Sequence, residues 1–496
     1  MKRALRRIYS LIFFVLLISV ASAQEMLGIV NSNYSGIHSA LINPSGLTNS
    51  KYYLDVNFLS LGVSIENNYV YIANSDYRFS QLLSSNPQLP THPPDNQSTF
   101  DYYNKDLKKA FANIRVMGPS VMLCFGDHAF GLTTGFRTVV SGRNIPYEIA
   151  KFGYSSLNFK PQHRINYKDY KNFNIAAMSW AEIGFSYAYV FKKLYNDNWS
   201  AGISVKKLMG VGGGYVNVSN IDYMLMNKDT AIVNNMNAEA GFSLPVDNQT
   251  NDIIKSPVFR GGGFGFDIGI TYKQTLKGQQ NISFSKICAR PFTPYKYKIG
   301  VSIIDIGRIS FKKNARKLIF NDASTYWPDL RSFNYQNVDS AISKISQRFY
   351  GNPDELVQGD KITIGLPTAL SVQFDLHYTG NWYLNGTLIY PLRMYKASLM
   401  RPAQFALTPR FETDLFEIDF PVSLYDFAKP RIGICARIGF LTVGTDKLGG
   451  FFHFNDFTGL DFYFAVKLSF IKGHCKSSGG DTNCAQSEYK KFIKKK

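Results

Sequence analysis

Beyond residue 24 the sequence has no run of about 18 apolar residues, so no later segment can cross a bilayer as a helix. Charged residues are scarce, at 18%, where an ordinary soluble domain carries roughly a quarter. The five cysteines leave at least one odd thiol. Cys124, Cys288 and Cys435 show no metal-ligand spacing, and Cys124 and Cys435 read as small strand residues. The glycine-rich run LMGVGGGYV, with Gly210 to Gly214, and the run Arg260-Gly261-Gly262-Gly263 lack the Lys-Ser/Thr pair and the following helix of a phosphate loop. Both read as strand kinks. His128, at a tight turn, and His377 are tied to no serine and acid by any spacing that selects a triad, and no nucleic-acid-binding motif is present. These absences point away from an enzyme, from any metal or other cofactor, and from nucleic acid.

What is present begins with a basic head, Lys2, Arg3, Arg6 and Arg7, an apolar run over 8–20, and the small residues Ala21-Ser22-Ala23. That order is a secretory signal peptide, with cleavage expected between Ala23 and Gln24. The apolar run is shorter than the roughly 20 residues a spanning helix needs, and no cysteine follows to carry a lipid anchor. An exported chain without spanning helices is either a soluble β protein or a closed barrel. Composition favours the barrel. Aromatic residues reach 15%, with 31 Tyr and 39 Phe, which suits aromatic girdles and an apolar outer belt. Mean hydropathy is only −0.14, because two unlike faces alternate and average out.

The formal charge is +19. The signal segment supplies four of these charges and the tail 472–496 a net five, so +10 remains on the body. Basic loops facing an anionic lipid and lipopolysaccharide surface account for it. In the tail, Cys475 and Cys484 are close enough in sequence for a small disulfide loop.

Strict alternation over about ten residues recurs along the chain. Ile183, Phe185, Tyr187, Tyr189 and Phe191 interleave with Glu182, Gly184, Ser186 and Ala188; Phe264, Phe266, Ile268 and Ile270 interleave with Gly265, Asp267 and Gly269. The pattern places strands at 52–72, 115–125, 128–139, 180–193, 199–224, 262–275, 295–311, 366–378, 382–393, 403–413, 415–424, 430–438, 440–447 and 460–471. Fourteen is an even number, as in bacterial barrels. The connections 73–114, 140–179, 225–261 and 312–365 are long and fall on one side. Tight turns at Gly126-Asp127, 195–198 and Gly380-Asn381 fall on the other, where 276–294 is the exception. A sandwich has no reason to sort its loops this way. The expected fold is therefore all-β, a transmembrane antiparallel β-barrel of about fourteen strands with long extracellular loops.

In the last strand Phe462, Phe464, Val466, Leu468 and Phe470 alternate with Tyr463, Ala465, Lys467 and Ser469. This resembles the C-terminal signal that barrel-assembly machinery reads, although a basic tail follows it here. Ahead of the first strand, Asn43-Pro44-Ser45-Gly46 resembles the Asn-Pro-Ala-Gly element of the long-chain fatty-acid transporter (FadL-like) barrels, with Ser45 in place of Ala. The same four residue types also suit an ordinary turn. In that family the element belongs to an N-terminal hatch inside a fourteen-stranded barrel. Asp305-Ile306-Gly307-Arg308 is similar to a run in related outer-membrane proteins, some of which serve secretion or gliding machinery.

The chain thus divides into a signal peptide at 1–23, a segment at 24–51 that the resemblance implies is a hatch or plug, a barrel at 52–471 and a basic periplasmic tail at 472–496. On alternation, Asp267, Asp375, Arg410, Glu412, Glu417, Asp419, Arg431, Arg437 and Lys467 share the lumen, where they either pair and close it or line an aqueous path. Val338 to Phe349 has helical spacing and suits a short amphipathic lid. The expected function is passive outer-membrane transport of small hydrophobic molecules. The alternatives are a scaffold barrel that binds an envelope protein partner and, third, a general porin.

Overall fold

The computed structural model describes residues 25–471 except 78–88, 94–95, 170–171, 195, 254–255, 277–292, 451 and 453–454. The expected cleavage site at Ala23 and Gln24, Cys288, the pair Cys475 and Cys484 and the basic tail lie outside the described residues.

Fourteen antiparallel strands close on themselves. They are β1 Leu54–Asn67, β2 Lys108–Met117 with Ser120–Phe125, β3 His128–Ile145, β4 Phe173–Leu194, β5 Asp197–Leu225, β6 Gly261–Thr275 and β7 Tyr295–Phe311. They continue as β8 Ile362–Gly365 with Ala369–Thr379, β9 Trp382–Pro391, β10 Gln404–Glu412, β11 Phe416–Asp419 with Val422–Tyr425, β12 Lys429–Ile432 with Ile434–Ile438, β13 Leu441–Thr445 and β14 Asp461–Phe470. Each pairs with the next, and β14 returns to β1 in the register Leu54↔Phe470 to Ser64↔Asp461. Three of the broken strands break at a proline, Pro119, Pro367 and Pro421, which has no N–H to give the ladder. Gly433 breaks β12 opposite Pro421, to whose carbonyl its N–H donates.

The outward positions are apolar: Phe185, Phe264 and Ile268 are about half exposed, while Asp267, between two of them, is fully buried. Near the rim of short turns, outward aromatic rings touch from strand to strand. Trp199, Tyr272, Tyr297 and Phe374 run across β5 to β8 at centroid spacings of 5.0, 6.0 and 6.2 Å. Trp382, Phe411 and Phe416 continue across β9 to β11. Such a belt is what a membrane interface selects. Among the described residues no helix is long and apolar enough to cross a membrane.

At the opposite rim, where the long connections gather, the structure corrects several boundaries. The first expected strand, 52–72, ends at Asn67, and Val70–Tyr71 pairs separately with Phe100–Asp101. β2 starts at Lys108 and β4 at Phe173, inside the expected loops. The segments 225–261 and 312–365 are not plain loops. Ala231–Ser243 pairs with the far end of the 29-residue β5 and with Ala315–Trp327, raising the wall above the barrel proper. One side of that extension packs Ala238 and Met236 with Phe173, Val218 and Phe320, and its sequence AIVNNMNAEAGFS lacks the apolar outward alternation of the barrel strands. The helix Val338–Tyr350, capped by Asn337, packs on this sheet through Phe349, with Phe320 at 5.4 Å and Trp327 at 6.2 Å. It lies against the raised wall, whereas residues of the connection 392–403 pack into the lumen.

Candidate functional site

The lumen is filled, and its filling changes chemistry from one rim to the other. From the rim of turns inward, residues 25–50 lie within the barrel as a helical turn, Leu27–Val30, and two 3₁₀ turns, Gly36–Leu41 and Pro44–Asn49. Almost all of them are buried. Polar side chains of the wall hold them. Asn33 Nδ2 donates to Glu412 Oε1 at 2.6 Å and Ser32 Oγ to Glu417 Oε2 at 2.8 Å. Lys467 Nζ donates to the carbonyls of Tyr34 and Ser35 at 2.9 and 3.1 Å, and Arg410 to that of Asn31. Arg410 also meets Asp375 and Glu412 at 3.2 and 3.1 Å, Arg437 meets Glu417 at 3.0 Å, and Lys51 meets Glu412 at 3.0 Å. His38 Nε2 lies 2.8 Å from Ser60 Oγ. Burial, with the charge of Lys467 nearby, holds its imidazole well below the usual histidine range.

Asn43 caps the second 3₁₀ turn, accepting from Ser45 N at 3.0 Å, and its Nδ2 donates to Gln373 Oε1 at 2.9 Å. Ser45 Oγ lies 2.6 Å from Thr271 Oγ1. Pro44 occupies the first turn position, and Gly46 packs over Ser39. The wall makes room with glycine: a Cβ on Gly202 would overlap the backbone of Pro44 and Ser45, and one on Gly269 the Asn43 side chain. Cys435 and Cys124 also face this segment, packing against Gly28 and the carbonyl of Leu47.

Midway along the barrel Asp305 is a buried hub, set at φ 55° where β7 bulges. Arg137 lies 2.9 Å from it and Lys206 3.0 Å, while Lys206 meets Asp267 at 2.7 Å. Arg401 pairs with Asp305, with Glu25 at 2.6 Å and with the Pro367 carbonyl at 2.7 Å. Burial opposes charge on Arg401, but Glu25 and Asp305 outweigh it and raise its pKa. Arg401 thus ties three parts together: the start of the luminal segment, the wall and the connection 392–403.

Above this hub the inward positions turn apolar. Met178, Trp180, Leu208, Tyr215, Ile309 and Ile364 form a buried cluster sealed by Ala397 and Leu399 of 392–403. Arg431 lies apart from all three layers, with Lys429 and Lys447, on Glu66 at 2.6 to 2.8 Å. Asp267, Asp375, Arg410, Glu412, Arg431, Arg437 and Lys467 therefore all point inward but divide among separate groups.

The sequence reading missed Glu25, Arg137, Lys206 and Arg401. Arg137 and Lys206 alternate in phase with buried Val139 and Leu208, a signal that strand-by-strand phasing would have found. Arg401 sits in a connection, where no periodicity exists. Among the described residues no group of three or more His, Cys, Asp or Glu could hold a metal.

A closed fourteen-stranded barrel with an apolar aromatic-belted exterior and its charged strand residues turned inward is a transmembrane β-barrel. More particularly, residues 44–446 match the model of a family of unknown function, DUF5723, and the chain belongs to that family. No curated protein matches it. Solved structures that resemble it include the Pseudomonas putida toluene transporter TodX, at 8% identity over 91% of this chain and 99% of that one, TM-score 0.30. The CymD monoaromatic hydrocarbon channel aligns at 10% over 92% and 99%, TM-score 0.25. A Pseudomonas aeruginosa FadL homologue aligns at 7% over 91% and 99%, TM-score 0.23. The superpositions are loose, and cargo has to be argued from this chain's own residues.

Proposed function

We propose that the chain is an outer-membrane barrel that passes small hydrophobic molecules passively, with residues 25–50 as a hatch and 392–403 as a lid. The observation that carries this reading is the apolar cluster beneath the loop rim. Inward side chains of a water-filled porin are polar, whereas Met178, Trp180, Leu208, Ile309, Phe311, Ile362 and Ile364 would line a greasy chamber once Ala397 and Leu399 withdrew. The contacts an opening lid breaks are few: Gly365 exchanges backbone hydrogen bonds of 2.9 and 3.0 Å with Ala397 and Leu399, burying Leu399 is worth about 2 kcal/mol, and Arg401 adds its ion pairs to Glu25 and Asp305. Below it, the hatch is held by hydrogen bonds and ion pairs that water can replace. A polar void of about 50 Å³ between hatch and wall, lined by Asn43, Asn49, Gln373 and Asp375, has room for a water.

The test is uptake of a small apolar fluorophore into vesicles carrying the barrel, with Leu399→Asp as the opened form. Faster uptake than wild type supports transport; no uptake by either form sinks it. A scaffold reading is favoured by one separate observation, the outward display at the loop rim of Tyr326, Ile253 and Val258, each more than half exposed. A stoichiometric protein partner that co-purifies, in a barrel that conducts nothing, would establish that reading instead.

A further inference from the structure

A cavity of about 450 Å³ opens at the loop rim between the start of β4, the far half of β5 and residues 393–396. That volume lies in the range of small-molecule sites, about 300 to 1,000 Å³. Asn174 and Asn217, register partners on β4 and β5, line its inner side and are 9% and 7% exposed. Asn174 Nδ2 donates to Asn217 Oδ1, which leaves Asn174 Oδ1 and Asn217 Nδ2 without a partner in the protein. Both atoms are buried beside the cavity, where a ligand's polar groups can pair with them.

The other side of the cavity is cationic. Arg393 spends its hydrogen bonds on the carbonyls of Tyr395 and Lys396 and meets no carboxylate among the described residues. Lys396 reaches Glu239 at 3.0 Å, but Lys317 shares that carboxylate at 3.4 Å. Three cations face one anion, an excess of two positive charges. Tyr395 lies between the two sides.

The occupant must answer one acceptor and one donor side by side, carry negative charge, and offer C–H surface to the Tyr395 ring. A hydrocarbon answers neither amide atom, and a bare carboxylate answers only the donor. A hydroxyl both donates and accepts, so adjacent hydroxyls satisfy the pair. We propose that this cavity binds an acidic saccharide, its adjacent hydroxyls on Asn174 and Asn217 and its carboxylate toward Arg393 and Lys396. The site is separate from the apolar cluster and stands whether or not the barrel conducts.

The experiment is calorimetric titration of the full barrel in detergent with glucuronate, glucose and hexanoate. Glucuronate should bind at least about tenfold more tightly than either control. Arg393→Gln with Lys396→Gln, both at exposed positions, should bring glucuronate down to the level of glucose. Asn217→Ala should bring it down to the level of hexanoate, with heat-modifiable gel mobility showing the barrel intact. Glucuronate that binds no more tightly than the controls, or that ignores the loss of both cations, overturns the proposal.

Discussion

Replacing Arg401 with glutamine separates the strength of the barrel from the strength with which its filling is held. Arg401 is 4% exposed and bridges Glu25 and Asp305. Breaking a buried ion pair from one side costs about 3–5 kcal/mol, because the abandoned charge stays out of water. Asp305 keeps Arg137 and Lys206, so the loss belongs at the lower end, about 3 kcal/mol, and falls mainly on Glu25. The strands lose nothing, since their ladders do not involve Arg401. At about 1.4 kcal/mol per decade, the detached population of the first luminal residues should rise about 150-fold. Hydrogen exchange read by mass spectrometry should show faster exchange in peptides from residues 25–35, unchanged exchange in β10 to β12, and a normal heat-modifiable barrel. Unchanged protection of 25–35 in an intact Arg401→Gln barrel would refute the claim that this ion cluster anchors the segment.

Two further outcomes follow from the same packing. Gly202→Val places side-chain atoms where the Pro44 and Ser45 backbone runs, so the segment around Asn43 should become cleavable by added protease while the barrel stays resistant. His38 is held neutral in the docked state, against an ordinary value of about 6.5. Docking stability from that depressed pKa is complete above pH ~6.5 and is lost as pH falls below it, so exchange over 36–41 should quicken on acidification and His38→Gln should blunt the effect.

Much of the fold was legible because the membrane imposes it. A strand with lipid on one side and lumen on the other must alternate, and the fourteen expected strands match fourteen in the barrel. Legibility failed where lipid ends: Ala231–Ser243 and Ala315–Trp327 are strands with no lipid face, and Asn234, Asn235 and Asn237 read as loop. The inward phase of Asp375, Arg410 and Lys467 could be read from their apolar neighbours. Which of them pair could not, because partners such as Arg410 and the Asn31 carbonyl are 379 positions apart and are set by where the luminal segment lies. Asn43 illustrates the limit: its capping of Ser45 is local and readable, whereas its bond to Gln373 depends on the closed barrel.

The placement of Arg401 also bears on how the filling would move. Ala397 and Leu399 seal the apolar cluster, and Arg401 lies two residues beyond Leu399 on the same connection while gripping Glu25. Two luminal segments joined through one guanidinium cannot respond independently: lifting 392–403 withdraws the partner of Glu25, and losing Glu25 removes an anchor of 392–403. Reciprocity is a thermodynamic requirement of any such coupling. Leu399→Asp should therefore quicken exchange over 25–35, although Leu399 belongs to the apolar layer, and Glu25→Gln should in turn loosen 392–403. In the Arg401→Gln background each effect should vanish from the other segment. If Leu399→Asp opens the mouth and leaves 25–35 as protected as before, the two ends of the lumen are gated separately and Arg401 is only a structural pin.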